Sequence, residues 1–147
     1  MDQQIMGQLK LIEAEDGYDM LEEQKKLQRV IHGNLPPDVR GHVCFEACET
    51  QGHLADVAKA NVLNIEMELA ELLDVLPWKY WSEKHRQRRE APVEDLHDDL
   101  IELIFEAADV QFFLNNILIA LGVTWPQFLS IYKTKMEENL RRQREGY

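Results

Sequence analysis

The sequence predicts an all-α fold, a bundle of four to six helices, on three observations. Apolar residues recur at helical spacing along nearly the whole chain. The alternation of apolar and polar residues that is typical of β-strands is almost absent. The 147 residues contain no long linker or low-complexity tract, and this length suits one domain. We therefore predict a single domain over residues 1–147.

Charge and composition restrict the possible partners and the compartment. The 16 basic and 27 acidic residues give a net charge of −11, which disfavours nucleic acid and anionic membranes as partners. The longest apolar run, residues 110–123, is broken by polar residues and is too short to span a bilayer. Two cysteines are too few for a disulfide framework, and no signal segment opens the chain. We predict a cytoplasmic protein with no nucleic-acid or membrane partner.

The first third of the chain predicts two helices and a loop. Residues 2–14 have helical spacing, and a clearer helix runs from about Tyr18 to His32. Asp19 is its predicted N-cap and Gly33 its predicted stop. Adjacent prolines predict a loop over residues 34–41. The predicted apolar face of the second helix consists of Leu27, Val30 and Ile31.

Residues 42–53 contain the side-chain types that bind zinc. His42, Cys44, Cys48 and His53 lie in this segment. Their spacing matches no common zinc finger or ribbon. We therefore interpret the two cysteines as reduced and structural.

Two long helices form the predicted core. The first runs from 53 to 76 and ends at Pro77, and the second runs from about Pro92 to 121 and ends at Gly122. The connection between them predicts an antiparallel pair. Thr124, with a glutamine three residues later, predicts a capping box for the last helix. The core helices are separated by a basic segment with Lys79, Lys84, Arg86, Arg88 and Arg89.

The core helices carry two pairs of carboxylates at a spacing of three residues. Glu68 and Glu71 lie on the first helix, and Glu106 and Asp109 on the second. Residues three apart share one helix face, so each pair could hold a cation. Mg²⁺ prefers such oxygen ligands. An acidic pair is often only a solvated surface, but these lie among apolar residues. Three further acids, Asp74, Asp99 and Glu102, could extend this site or only decorate the surface, and we favour surface decoration.

Four blocks of the sequence resemble the dimeric all-α dUTPases. The segment 67–81, MELAELLDVLPWKYW, is similar to their ExxE helix and the Trp-Lys-x-Trp element that follows. Residues 106–113, EAADVQFF, resemble their ExxD helix, and the tail 135–147 resembles their closing K-N-R-Q-G-Y motif. Residues 20–27 are similar to their first helix. This resemblance covers most of residues 18–147.

The resemblance implies Mg²⁺-dependent hydrolysis of dUTP, and possibly dUDP, to dUMP by a homodimer or higher homo-oligomer. The implied ligands of two or three Mg²⁺ ions, for which Mn²⁺ could substitute, are Glu68, Glu71, Glu106 and Asp109. Glu71 is the implied base for the attacking water, with Glu68 and Lys79 as further catalytic residues. The residues implied to bind substrate are Gln24, Trp78, Lys79, Trp81, Lys135, Asn139, Arg142 and Tyr147.

Those assignments compete with plainer interpretations. The tryptophans could be core anchors, the cations could be solvated helix charges, and Gln24 could be an ordinary helix-surface residue. The chain has Gln28-Arg29 where the family tends to have Asn-Asp, and it carries a basic insert over residues 82–95 that we interpret as a loop. Two alternatives stay open: a MazG-like pyrophosphohydrolase acting on another triphosphate such as dGTP or dCTP, and a non-enzymatic helical interaction protein.

Overall fold

The computed structural model describes residues 17–96 and 98–146. These residues form five α-helices, two short 3₁₀-helices and no strand, which confirms the all-α prediction. The α-helices are α1 (Met20–Asn34), α2 (Gln51–Val75), α3 (Glu83–Arg89), α4 (Asp98–Ala120) and α5 (Trp125–Glu145), and the 3₁₀-helices are Pro37–His42 and Val93–Leu96. The helix predicted over residues 2–14 lies outside the described residues.

Helix α1 begins where the sequence predicts and ends slightly later. The Asp19 side chain accepts hydrogen bonds from the backbone N–H groups of Leu21 and Glu22, at 3.0 Å each. The predicted stop at Gly33 is wrong, because the helix continues to Asn34. Pro36 ends it, since the residue before a proline is driven out of the helical conformation.

The apolar face predicted for α1 is not the face that the helix buries. Leu27 and Val30 are exposed, whereas Leu21, Gln24 and Gln28 are buried. The buried positions share one face at i, i+3 and i+7. Two of the three side chains on that face are amides, so hydrophobic periodicity alone could not identify it.

Two segments interpreted as loops contain short helices. A 3₁₀-helix occupies Pro37–His42, and the basic insert forms α3. The second core helix starts at Asp98 and not near Pro92, because Val93–Leu96 forms a separate 3₁₀-turn. Short 3₁₀-turns are common connectors between helices. A proline starts the first of these turns, and its fixed φ lies within the range of a 3₁₀-helix.

The junction between α4 and α5 matches the sequence prediction. Gly122 has a φ of 73°, its N–H donates to Ile119 O at 2.9 Å, and the N–H of Val123 donates to Leu118 O at 3.1 Å. This is a Schellman motif, in which glycine supplies the left-handed residue. The Thr124 side chain and the Gln127 side chain then complete the predicted capping box of α5. The reversal at residues 121–124 is therefore fixed by local sequence.

The described chain divides into two compact units. Unit 1 contains residues 17–18 and 59–114, and unit 2 contains residues 19–58 and 115–146. In unit 1, residues near the end of α2 line one pocket with residues near the start of α4. That pairing agrees with the predicted antiparallel arrangement of the two core helices. In unit 2, Cys44, Val57 and Ala120 form a small buried cluster with Cys48 and Leu54 packed against it.

Apolar burial differs between the units. All the buried apolar residues that the structure describes belong to unit 2, namely Leu21, Cys44, Val57, Ile119 and Ala120. Exposed apolar side chains of unit 1 include Val62, Leu63, Met67, Leu69, Leu73, Ile104, Phe105 and Phe112. One helix, residues 99–120, is long and apolar enough to cross a membrane by length and composition alone, but it carries charged and amide side chains.

Candidate active site

Three of the four predicted metal ligands meet in unit 1. Glu68 and Glu71 lie on one face of α2, and Glu106 faces them from α4. One carboxylate oxygen from each lies within 4.8 Å of the others. Glu68 and Glu106 are half-buried, and Glu71 is exposed. Oxygen ligands from two helices, partly open to solvent, suit a hard divalent cation such as Mg²⁺.

The carboxylates repel one another. Burial raises the pKa of Glu106, and the nearby charges of Glu71 and Glu68 raise it further. Asp109, one turn further along α4, adds a smaller repulsion that also raises this pKa. Like charges at this separation disfavour ionisation, and a bound cation would remove that cost. The donor set therefore fits the metal that the resemblance implies.

A pocket of about 360 Å³ opens beside Glu71 and Glu106. Asp74, Asp99 and Glu102, which the sequence interpretation placed on a plain surface, line it together with Val75 and Arg88. The missed signal is spacing, because residues 99, 102 and 106 follow i, i+3, i+7 on α4 and therefore share a face. The acidic region is larger than the four predicted ligands.

The Trp-Lys-x-Trp element lies exposed just after α2. The rings of Trp78 and Trp81 meet edge to face at 5.5 Å, and the Nζ of Lys79 lies 5.2 Å from the centre of the Trp78 ring. The same Nζ lies 3.6 Å from the carboxylate of Asp74. Trp78 is 38% and Trp81 58% exposed in the single chain. They are therefore not anchors of a core within this chain.

Gln24 is buried in unit 2, and so the helix-surface interpretation is wrong. Its Nε2 donates a 2.8 Å hydrogen bond to Oδ1 of Asn116. Gln28, one turn along α1, and Asn115, next to Asn116, are also buried. We call these four residues the buried amides. The sequence signal that could have revealed them is the pair of adjacent asparagines in an otherwise apolar helix. A buried amide needs a polar partner, so such a pair predicts a polar side chain on a neighbouring helix.

The cations of the tail lie on α5 in unit 2 and are paired. Lys135 Nζ lies 2.8 Å from the Glu138 carboxylate, and Arg142 contacts the same carboxylate. The hydrogen bond from Lys135 and the charge of Arg142 lower the pKa of Glu138. Asn139 is exposed on the same helix. Tyr147 lies outside the described residues.

The cysteines and histidines of residues 42–53 do not assemble into a metal site in the described chain. The Sγ atoms of Cys44 and Cys48 are 3.7 Å apart, and both thiols are free. Burial, and then Cys44, raise the pKa of Cys48 to about 11. His53 Nε2 instead lies 3.1 Å from the carbonyl oxygen of Gly41. These positions agree with reduced, structural cysteines.

Comparison with known proteins gives a family and two relatives. The sequence profile described as dUTPase matches residues 18–105, more than half of the chain. The dCTP pyrophosphatase of Enterobacteria phage T4 is 26% identical over an alignment of 147 positions, and this alignment covers 90% of this chain and 85% of the relative. The dCTP pyrophosphatase of Enterobacteria phage LZ5 is 34% identical over 71 residues, which cover 48% of this chain and 41% of the relative. No solved structure matches.

The matched region includes the first carboxylate pair and the Trp-Lys-x-Trp element, and it ends one residue before Glu106. The second pair lies beyond the matched region, and the structure places Glu106 of that pair against the first pair. The family and the relatives agree on hydrolysis of a nucleoside triphosphate, which removes the alternative of a non-enzymatic protein. The chain belongs to the all-α dUTPase family and is a nucleoside triphosphate pyrophosphohydrolase.

Proposed function

We propose that this enzyme hydrolyses the deoxypyrimidine triphosphates dUTP and dCTP to the monophosphate and pyrophosphate, with Mg²⁺. The observation that carries the proposal is the meeting of Glu68, Glu71 and Glu106 within 4.8 Å in a chain of this family. The dUTPase profile supports uracil, and the two relatives named dCTP pyrophosphatase support cytosine. No comparison supports a purine such as dGTP.

Glu68, Glu71 and Glu106 are the proposed metal ligands, with Asp109 as the fourth. Divalent cations held there would neutralise phosphate charge and polarise the attacking water. Water adds across the phosphoanhydride bond between the α- and β-phosphates, and one product is pyrophosphate. Glu71, the exposed member of the group, accepts the proton of that water. Lys79, held beside the acidic pocket by Asp74, stabilises the charge of the departing phosphates.

The buried amides support recognition of either pyrimidine. Cytosine presents an amino donor where uracil presents a carbonyl acceptor. A glutamine side chain has both a donor and an acceptor, and it exchanges them when the amide group turns over. Gln24, whose Nε2 donates to Asn116, is the proposed base-reading residue. Trp78 and Trp81 are proposed to stack against the nucleoside, as exposed aromatic rings can.

The tail supplies the other proposed phosphate contacts. Lys135 and Arg142 share the carboxylate of Glu138 on an exposed face of α5. Exposed ion pairs of this kind are weak, so both cations can turn to a phosphate at little cost. Asn139 and Tyr147 are proposed to hydrogen-bond sugar or phosphate.

A nucleotide panel tests the substrate. Purified protein is incubated with dUTP, dCTP, dUDP, dTTP, dGTP and dATP, with Mg²⁺, with Mn²⁺ or with a chelator, and the products are separated chromatographically. From dUTP and dCTP we expect dUMP and dCMP with equimolar pyrophosphate, and no turnover with the chelator. Turnover of dGTP with dUTP and dCTP left intact would reject the pyrimidine assignment and keep the fold assignment.

We further propose a cytoplasmic homodimer, in which the protomer is one domain over residues 1–147. The described part of unit 1 buries no apolar side chain fully by itself, although large apolar residues line α2 and α4. A second copy of the chain would cover that surface, as the family implies. Nothing in the charge of −11 favours nucleic acid or an anionic membrane as partner.

Light scattering after size-exclusion chromatography tests the dimer. Leu63→Glu places a charge among exposed apolar residues of α2, and Val30→Glu does the same on the exposed face of α1 in unit 2. We expect dissociation from Leu63→Glu and a retained dimer with Val30→Glu. A strictly monomeric parent at micromolar concentration would reject the proposal.

A further inference from the structure

We propose that Arg88, on α3 of the basic insert, is a substrate-binding residue whose guanidinium binds phosphate oxygens in the acidic pocket. This inference rests on the proposed function, because it assigns a contact to the same substrate. It gives the insert, which has no role in the resemblance, a place in the site.

The acidic charge of the pocket would repel a triphosphate unless a basic residue lies beside it. Its lining contains five carboxylates, those of Glu71, Asp74, Asp99, Glu102 and Glu106. Among the residues that the structure describes, Arg88 is the only basic side chain in that lining. A triphosphate carries several negative charges, so carboxylates left without a cation repel it. A permanently charged guanidinium offsets that repulsion at every pH of interest.

Arg88 is poised to change partner. Its Nη2 donates a 2.8 Å hydrogen bond to Oδ2 of Asp99. The two side chains are 37% and 45% exposed, and an exposed pair of this kind contributes little stability. A guanidinium has five N–H donors in a planar fork that matches phosphate, often with two hydrogen bonds. Exchange of Asp99 for a phosphate therefore costs little and gains a stronger contact.

The neighbouring cations of α3 lie elsewhere. Arg86 pairs with Glu83 on its own helix. Arg88 and Arg89 both line an adjacent pocket with Pro77 and Pro92, but Arg89 is not part of the acidic lining. Arg88 and Arg89 have the same charge and adjacent positions on one helix. Arg89 is therefore a matched control.

The test compares Arg88→Gln with Arg89→Gln in steady-state hydrolysis of whichever triphosphate the parent turns over best. Loss of a charge-assisted phosphate contact should raise KM by about 10- to 100-fold in Arg88→Gln. Inhibition by pyrophosphate should weaken by a similar factor, because pyrophosphate presents the same oxygens. Arg89→Gln should keep the KM of the parent.

Two further measurements separate phosphate binding from a structural role. If Arg88 served only to hold Asp99, then Asp99→Asn would raise KM as Arg88→Gln does. We expect the reverse, a lower KM in Asp99→Asn, since Arg88 is released and one negative charge is lost. The Mg²⁺ concentration for half-maximal rate should not rise in Arg88→Gln, and its helical circular dichroism should match the parent.

The failures are distinguishable. A parent that hydrolyses no nucleotide triphosphate rejects the proposed function. An active parent with equal KM values in Arg88→Gln and Arg89→Gln rejects the role of Arg88 and leaves the function intact. A raised KM in both Arg88→Gln and Asp99→Asn also rejects it, in favour of an ion pair that positions α4.

Discussion

The two units of this chain differ in how they place their polar side chains. Unit 1 gathers carboxylates at a solvent-open surface and buries one amide, Asn61, and its described part encloses no apolar residue fully. Unit 2 encloses the buried apolar residues together with the four buried amides. Clustered carboxylates are costly until a cation arrives, whereas the hydrogen-bonded pair of Gln24 and Asn116 is stable without a ligand. The difference predicts that substitutions among the clustered carboxylates reduce turnover most, and that substitutions among the buried amides of unit 2 reduce stability.

The largest expected effect is the loss of turnover in Glu71→Ala. If this exposed carboxylate both binds the metal and accepts the proton of water, kcat should fall by about 10²- to 10⁴-fold. Steady-state assays of pyrophosphate release measure it. Glu66→Ala is the control, because Glu66 is an exposed glutamate of α2 outside the carboxylate group.

Thermal unfolding should hardly distinguish Glu71→Ala from the parent in the presence of a chelator. A variant that unfolds well below the parent would mean that Glu71 supports the fold of unit 1. That result would reject the claim that the carboxylates of unit 1 act in catalysis and not in folding.

The next effect concerns unit 2 and should appear in stability. Gln24→Ala leaves the amide of Asn116 short of its buried partner, which should lower the free energy of unfolding by about 1–3 kcal/mol. Urea titrations of Gln24→Ala, Asn116→Ala and the double variant give the coupling energy. The two losses should not add, because each single variant already breaks the same hydrogen bond. Val30→Ala, on the exposed face of α1, is the control.

Additive losses from Gln24→Ala and Asn116→Ala would show that the amides are independent. A Gln24→Ala enzyme with parental stability and a raised KM would instead make Gln24 a binding residue only. Either result would contradict the claim that the paired amides of unit 2 stabilise the fold.

The same contrast explains what could be read from the sequence. Glu68, Glu71 and Glu106 were predictable, because i, i+3 spacing within a helix is local and the helices are strongly periodic. The C-terminal end of α4 and the start of α5 were predictable for a similar reason, since Gly122 and the capping box act within a few residues. Local rules therefore predicted three carboxylates that the structure brings together, and their role as metal ligands stays a prediction.

The buried amides needed information that is not local. Gln24 and Asn116 are 92 residues apart in sequence, and only the fold shows that they meet. The apolar face predicted for α1 is exposed at Leu27 and Val30, while the buried face carries the polar residues Gln24 and Gln28. Arg88 and Asp99 are also paired across a connection that was interpreted as a loop. Tertiary pairing of polar side chains was the missing information.

A smaller effect is expected from Glu106→Gln on the response to metal. Removal of one carboxylate relieves the repulsion that raises the pKa of Glu106 in the parent. The variant should therefore melt at a slightly higher temperature than the parent in chelator. Added Mg²⁺ should raise the melting temperature of the parent more than that of the variant, because ligand binding to the native state is stabilising. Glu66→Gln, of equal charge change, should respond to Mg²⁺ as the parent does.

Melting temperatures that rise equally with Mg²⁺ in Glu106→Gln and in the parent would contradict the assignment of Glu106 as a ligand. Turnover need not be measured for this test. It therefore separates metal binding from the later chemistry.

The smallest expected effect is a pair of opposite pKa shifts, one for a glutamate in each unit. Like charges and burial raise the pKa of Glu106, whereas Lys135 and Arg142 lower the pKa of Glu138. For Glu106 the folded state binds the proton more tightly, so stability falls as pH rises from the ordinary glutamate range through the raised pKa. For Glu138 the stabilisation is present above the ordinary pKa and is lost as pH falls through the lowered pKa.

Carboxyl carbon chemical shifts, followed by NMR from acid to neutral pH in a chelator, measure both pKa values in one sample. Addition of Mg²⁺ should lower the apparent pKa of Glu106, because protons and cation compete for the same oxygens. The pKa of Glu138 should stay in place, since its partners are cations of α5. Two results would contradict this comparison of the units: a shift of both pKa values on addition of Mg²⁺, or a lower pKa for Glu106 than for Glu138. Either would mean that the carboxylates of unit 1 are not the preferred site for the cation.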